Sequence, residues 1–147
     1  MRSVKSTLSL YLSDAGYSLT VPRQMVFDTL ESYGPLTMNE LTQRLKGKAD
    51  RSSIYRTTSL FEKLGIIQRV QQSWKYKIEL TDTFLPHHHH LTCLNCRQTI
   101  SFDEPENLED LLRGVTGRYG FLPKNHTLEI EGLCSTCKAN AGSQQPA

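Results

Sequence analysis

Two Cys-x-x-Cys pairs constrain this chain most strongly. Cys93 and Cys96 form the first pair, Cys134 and Cys137 form the second, and together they are all four cysteines of the sequence. Each pair places two thiols on one tight turn, and two such turns that face each other form a tetrahedral cage of sulfurs. We expect Zn²⁺ in this cage, in a structural role, because a closed cage leaves no open coordination position. Two unrelated redox or buried pairs and an iron–sulfur cluster are the alternatives.

Histidines add a second metal-binding signal. Four of the five form the run 87–90, directly before the first cysteine pair, and His126 precedes the second pair. In an extended segment, alternate side chains point to opposite sides, so His87 and His89 would serve one site and His88 and His90 another. A solvated loop or an expression tag would be the alternative for the run. His126 alone would more often be a surface or core residue.

Charge divides the chain into two parts. Residues 1–85 contain 12 Lys and Arg against 8 Asp and Glu, whereas residues 86–147 contain 5 against 7. A basic front half and an acidic back half predict two modules with different tasks, and the positive balance permits nucleic-acid binding. The sequence has neither an apolar run long enough to span a membrane nor the apolar stretch of a signal peptide. We therefore expect a cytoplasmic protein.

The front half has the pattern of a winged helix-turn-helix domain. Apolar residues at helical spacing predict successive helices, including a short one that begins with the capping box Thr37–Glu40 and a third core helix over about 52–64. A β-rich segment over 66–70 and an alternating segment over 74–80, on either side of a polar turn at 71–73, predict a hairpin. In such a domain, here residues 1–82, the third core helix would enter the major groove.

The outward face of this third helix carries groups that suit DNA. Its hydroxyls, phenol and guanidinium can bind phosphate oxygens and base edges, although a plain solvated face is the alternative. These side chains are Ser52, Ser53, Tyr55, Arg56, Thr57 and Ser59.

The back half reads as a small α+β unit over residues 87–138, preceded by a hinge at 83–86 and followed by a flexible tail at 139–147. Short strands are predicted around the first cysteine pair, a helix over 107–119 and a strand over 127–133 that leads into the second pair. We expect the strands to form a short antiparallel sheet. About 55 residues are few for an independent hydrophobic core, which favours both a structural metal site and association with a second copy of the chain. The overall fold class is α+β.

Taken together, these motifs resemble the ferric uptake regulator (Fur) family of bacterial metal-dependent repressors, from about Ala15 to Cys137. The motifs are Leu19-Thr20-Val21-Pro22-Arg23, Ser53-Ile54-Tyr55-Arg56, Leu64-Gly65-Ile66-Ile67, the histidine run joined to Leu91-Thr92-Cys93-Leu94-Asn95-Cys96, Asn125-His126 and the last Cys-x-x-Cys. The resemblance implies a homodimer that binds palindromic operator DNA through its winged-helix domains and dimerises through its C-terminal domains.

The resemblance also implies roles for individual residues. The four cysteines match the structural zinc site, and Tyr55 and Arg56 match DNA-contacting positions, with which we group Arg23, Ser52 and Ser53. A regulatory metal site matches His87, His89, Glu109 and His126. Histidine at position 89, where Fur usually has aspartate, resembles the zinc-sensing members, so the sensed metal is expected to be Zn²⁺ or Fe²⁺.

A second, hinge metal site is only partly matched. Its usual ligands correspond to Glu79, His88 and His90. The stretch that usually supplies a fourth ligand, a histidine, reads Gly34-Pro35-Leu36, Ser101 replaces a frequent acidic residue, and the cysteine that zinc sensors place near the wing is missing. This site would be three-coordinate, completed by water, or empty.

The predicted function is therefore a metal-responsive, DNA-binding repressor of metal-homeostasis genes, and not an enzyme. A peroxide-sensing regulator of the same family, a metal-storing or adaptor protein, and a zinc hydrolase are the alternatives. The hydrolase is disfavoured because the sequence contains no H-E-x-x-H motif.

Overall fold

A computed structural model describes residues 4–72 and 75–142, and the chain forms two compact units, Met1–Pro86 and His87–Ala147. The predicted turn residue Ser73, the first residue of the predicted second strand (Trp74) and residues 143–147 of the predicted tail lie outside the described part. Within that part, no helix combines the length and the apolar character needed to cross a membrane.

The first unit has the predicted order of helices followed by a hairpin, so the winged-helix fold is confirmed. Its elements are α1 (Val4–Asp14), α2 (Val21–Tyr33), α3 (Met38–Arg44), α4 (Arg51–Lys63), β1 (Ile67–Gln72) and β2 (Lys75–Leu80). The strands β1 and β2 are antiparallel, with Ile67 opposite Leu80 and Gln72 opposite Lys75. The helix α4 is the predicted DNA-recognition helix.

Side-chain caps fix where α3 and α4 begin. The hydroxyl of Thr37 accepts a hydrogen bond from the Glu40 backbone at 3.2 Å, and the Glu40 carboxylate accepts one from the Thr37 backbone at 2.7 Å, which completes the predicted capping box. Asp50 caps α4 by accepting from the Ser52 hydroxyl at 2.6 Å and the Ser53 backbone at 2.9 Å. The Ser52 hydroxyl and the Ser53 donors hold the pKa of the Asp50 carboxyl well below its usual range. Thr20 precedes α2 without a side-chain cap.

One apolar core joins all these elements. Its fully buried members include Leu8, Leu12, Val26, Phe27, Leu41, Phe61, Ile66 and Leu80. On α4, the inward stripe includes Thr57, which the sequence analysis placed on the outward face and which is buried. The spacing explains this, because residues 54, 57, 58 and 61 lie at i, i+3, i+4 and i+7 on one helical face.

The predicted hinge at 83–86 is wrong in one respect, because Phe84 belongs to the core of the first unit. Its ring is buried and meets the rings of Tyr11 and Phe27 edge-on, with centroids 5.6 and 5.3 Å apart. The Phe84 backbone donates to the Thr81 carbonyl at 2.9 Å. The winged-helix unit therefore extends to Pro86 rather than residue 82. Phe84 and its apolar neighbour Leu85 form too short a run to show a periodicity from which burial could be predicted.

The second unit contains β3 (His88–Cys93), β4 (Thr99–Asp103), α5 (Leu108–Gly117), β5 (Glu129–Gly132) and α6 (Ser135–Gly142). Its sheet has the order β4-β3-β5. The strands β3 and β4 pair antiparallel, as predicted, whereas β5 pairs parallel to β3. A parallel neighbour requires a long crossover connection, which here contains α5.

The predicted tail also needs correction, because residues 139–142 continue the helix α6. This helix begins within the second cysteine pair, and the Lys138 backbone donates to the Cys134 carbonyl at 2.8 Å. Ala139 and Ala141 favour helix continuation, since alanine has the highest helix propensity.

Candidate metal centres and nucleic-acid interface

The four cysteines converge at one end of the second unit. Cys93 ends β3 and Cys96 lies in the following turn, which Arg97 closes with a positive φ of 65°. Cys134 precedes α6 and Cys137 lies in its first turn. All four Sγ atoms lie within 4.8 Å of one another. The cysteines thus form a single cluster rather than two separate pairs.

The spacing and electrostatics of this cluster fit a metal cage. The Sγ atoms of Cys96 and Cys134 are 3.8 Å apart, and a tetrahedron with Zn–S bonds of 2.3 Å has edges of about 3.8 Å. Backbone N–H groups, first that of Cys134 and then that of Cys96, lower the pKa of the Cys93 thiol. The Asn95 amide lowers the pKa of Cys137, but the neighbouring cysteine side chains outweigh it and raise that pKa. Four thiols this close together can all be ionised only if a bound cation balances their charge.

A second cluster contains three of the four predicted regulatory ligands. The Nε2 atoms of His87 and His126 are 3.4 Å apart, and the ring centroids of His87 and His89 are 4.9 Å apart. His89 is buried, and this burial, followed by the neighbouring His87, lowers the pKa of its imidazole. His89 is therefore neutral at pH 7, as a metal ligand must be.

The carboxylate in this cluster differs from the predicted one. Glu104, which the sequence analysis did not single out, completes the group with its Oε2 atom 3.2 Å from Nε2 of His87. The predicted ligand Glu109 instead lies 3.3 Å from Nδ1 of His126. The signal that could have found Glu104 is strand register, because it follows β4, opposite the start of the histidine run on β3.

The third predicted set draws on both units, and its assembly stays a prediction. In the first unit, Glu79 is buried and its Oε1 atom accepts a hydrogen bond from Nε2 of Gln68 at 2.9 Å. In the second unit, His88 and His90 have ring centroids 4.9 Å apart, on the face of β3 opposite His89.

The predicted DNA-contacting residues lie at the N-terminal end of α4 and beside it. Tyr55 and Arg56 are exposed, and the Arg56 guanidinium donates to the Ser53 hydroxyl at 3.4 Å. Ser52 is exposed but donates to the Asp50 cap at 2.6 Å. A residue that sequence reasoning missed is Arg51, whose guanidinium donates to the Tyr55 hydroxyl at 3.5 Å.

Arg23 faces the same helix across a cleft of about 410 Å³ within the first unit. The cleft is lined by Tyr17, Thr20, Pro22, Arg23, Ser53, Arg56, Thr57 and Leu60. Arg23 donates to the Ser18 carbonyl and lies over the Tyr17 ring, which positions its guanidinium at the cleft wall. Two guanidinium groups and a serine hydroxyl at one polar cleft are suited to a phosphate oxygen.

The family of this chain follows from a match to the ferric uptake regulator family over residues 14–131. The chain belongs to this family. The ferric uptake regulation protein of Vibrio parahaemolyticus is 29% identical over 144 residues, covering 92% of this chain and 95% of that one. A ferric uptake regulation protein of Neisseria meningitidis is 29% identical over 136 residues, covering 87% and 91%.

Solved structures of Fur-family proteins agree with this assignment. The Helicobacter pylori ferric uptake regulator, described as having three functional metal-binding sites, aligns with a TM-score of 0.77 at 25% identity over 93% of this chain and 95% of that one. A zinc-bound manganese uptake regulator aligns with a TM-score of 0.66 at 28% identity over 90% and 99%. The chain is thus a metal-responsive transcription regulator and not an enzyme, as predicted.

Proposed function

We propose that this Fur-family protein is a homodimeric repressor that binds operator DNA when a divalent cation, Zn²⁺ or Fe²⁺, occupies its histidine–glutamate cluster. One observation carries the proposal: the chain joins a winged-helix unit with a basic recognition helix to a unit that gathers both a four-cysteine cluster and a three-histidine cluster. Its target genes would be those of metal homeostasis, and its place of action the cytoplasm.

An exposed apolar row supports the homodimer. Leu91, Ile100 and Ile130 lie side by side across the three strands of the second unit, and each is more than a third exposed. The helix α5 has no buried residue, and its Leu111 is 63% exposed. Adjacent apolar side chains on a sheet and an amphipathic helix without a buried face are typical of a subunit interface. In the proposed homodimer, the same unit of the second chain covers this apolar surface.

Metal would act by ordering the dimer. Within the second unit, donors from the β3–β4 hairpin and from the segment around His126 must come together at one cation, which fixes their relative positions. A dimer with fixed geometry loses less conformational entropy when its two winged helices bind two DNA half-sites. A coupling free energy of about 1–3 kcal/mol between metal binding and DNA binding would raise DNA affinity about 5- to 150-fold. The basic residues of the first unit supply phosphate contacts and a strong salt dependence.

The number and type of the donors make zinc the first candidate for the regulatory metal, because Zn²⁺ is usually four-coordinate with nitrogen and oxygen ligands. Nε2 of His87 lies 3.4 Å from Nε2 of His126 and 3.2 Å from Oε2 of Glu104. A tetrahedral site with bonds of 2.0–2.1 Å has edges of about 3.4 Å. Three imidazoles and one carboxylate also suit Fe²⁺ chemically, so metal analysis has to distinguish the two.

Metal content tests the identity of the regulatory metal. We expect about two zinc ions per chain, one for the cysteine cluster and one for the histidine cluster. The measurement is inductively coupled plasma mass spectrometry on untagged protein purified anaerobically. About one zinc per chain, with iron taken up on anaerobic addition of Fe²⁺, would instead identify an iron sensor.

Replacing Tyr55 with alanine tests the DNA interface. We expect operator affinity to fall about 5- to 150-fold, which corresponds to roughly 1–3 kcal/mol for a side chain that contacts a base. Metal content and thermal stability should not change, because Tyr55 is 41% exposed. The measurement is fluorescence anisotropy with labelled DNA from the region upstream of the gene.

The matched control is Tyr33→Ala, which removes an exposed tyrosine of the same unit from the end of α2. Equal loss of affinity in both variants would argue against recognition by α4. Loss of metal in the Tyr55 variant would contradict the proposal that DNA binding and metal binding belong to different units.

A further inference from the structure

We propose that Glu104 is the carboxylate that binds the regulatory metal directly, and that Glu109 holds His126 from outside the coordination sphere. This inference rests on the proposed function of the histidine cluster and reverses the role that the family resemblance implies for Glu109. It makes Glu104 a ligand and Glu109 a positioning residue.

Glu104 lies beside two imidazole nitrogens, and one of its own oxygens has no hydrogen-bond partner. Its Oε2 atom lies 3.2 Å from Nε2 of His87 and 3.8 Å from Nε2 of His89. Its Oε1 atom and Nε2 of His89 are both buried without a hydrogen-bond partner. Buried polar atoms are nearly always satisfied, and His89 is 2% exposed. A cation among these atoms satisfies both of them at once.

The surroundings of Glu109 are different. Its Oε1 atom lies 3.3 Å from Nδ1 of His126, whereas Nε2 of the same ring faces His87 at 3.4 Å. The two nitrogens are on different sides of the imidazole, so a carboxylate at Nδ1 is separated from the metal position by the ring. The Oε2 atom of Glu109 lies 4.0 Å from Nε of Arg113, and the side chain is 46% exposed.

This geometry gives Glu109 a defined task. By accepting a hydrogen bond from Nδ1–H of His126, it fixes the tautomer in which Nε2 carries the free lone pair, and it orients the ring. Metal-ligating histidines almost always have such an outer partner. Arg113, one turn further along α5, lies 4.0 Å from the other oxygen of the Glu109 carboxylate.

Strand register explains why Glu104 reaches the cluster. The antiparallel pairing of β3 and β4 sets His89 opposite Phe102 and His88 opposite Asp103. Continued by one residue, the same register sets His87 opposite Glu104. The hairpin thus provides two imidazoles and the carboxylate from one face, and the crossover segment adds His126.

The test compares Glu104→Gln with Glu109→Gln, two isosteric changes that each remove one charge. Protein with zinc retained in the cysteine cluster is titrated with Co²⁺, and visible absorption reports the ligand set. We expect Glu104→Gln to lower Co²⁺ affinity by more than about 100-fold and to change the spectrum. We expect Glu109→Gln to lower affinity by about 10-fold, as outer partners do, with the band positions unchanged.

Each alternative result has a distinct meaning. A changed spectrum in Glu109→Gln with a normal one in Glu104→Gln, or a changed spectrum in both, would overturn the assignment. If wild-type protein bound no Co²⁺ beyond the cysteine cluster, the proposed function would fail together with this inference. One zinc per chain and an unchanged circular dichroism spectrum in both variants would confirm that the fold is intact.

Discussion

Replacing Cys93 with serine is expected to abolish stoichiometric zinc in the cysteine cluster and to unfold the second unit. Among the described residues of that unit, the only buried apolar side chains are Cys93 and Cys137 themselves, so the cluster takes the place of a hydrophobic core. Structural zinc contributes roughly 10–16 kcal/mol of apparent binding free energy in small domains, which is comparable to the whole stability of a protein of about 5–15 kcal/mol. Serine cannot replace the thiolate, because its hydroxyl stays protonated.

The measurements are zinc content, circular dichroism and molecular mass in solution. The variant should lose zinc and dimerisation while the first unit, with its own core, retains its helices. The matched control is Asn95→Ala, which removes the amide that donates to the Cys137 sulfur at 3.2 Å but no ligand. It should keep its zinc. A stable, dimeric, zinc-free Cys93→Ser protein would show that the cluster is not structural.

The second large effect is expected for His89→Gln, which should make DNA binding insensitive to metal. His89 is the most deeply buried histidine of the cluster, and its Nε2 atom has no other partner. Since the loss of an outer partner costs 10- to 100-fold in metal affinity, the loss of this ligand should cost more than about 100-fold. The metal-dependent rise in DNA affinity, about 5- to 150-fold, should then disappear.

Anisotropy titrations of labelled DNA at buffered free Zn²⁺ would measure this effect. The matched control is His88→Gln, because His88 lies on the same strand with its side chain on the opposite face. This control variant should keep the metal-dependent rise in DNA affinity. If His88→Gln abolished it and His89→Gln did not, sensing would belong to the predicted hinge set with Glu79 and His90.

The parts of this molecule that sequence alone could predict are those defined by short spacing. A Cys-x-x-Cys pair fixes two ligands within one turn, and the two pairs need only one long-range contact to form the cluster. Helical stripes and strand alternation likewise specified the winged helix, since each pattern is local. Thr37 and Glu40 even specified the first turn of α3.

What could not be predicted depends on register and on tertiary packing. Glu104 and Glu109 are both acidic residues near a predicted strand and helix, and only the pairing of β3 with β4 shows which one faces His87. Phe84 shows no periodicity, yet it packs against Tyr11, which is distant in sequence. Thr57 has a polar side chain but lies on the inward face of α4.

The strand β3 carries predicted ligands of different metal sites on its two faces and ends in a cluster cysteine, all within His88–Cys93. Replacing one side chain in this strand affects only one metal site. Adding or removing one residue moves every later side chain to the opposite face of the sheet. The length of this segment is therefore a stricter requirement than most of its individual side chains. Exchange of single donors should therefore be tolerated better than an insertion or deletion within the strand.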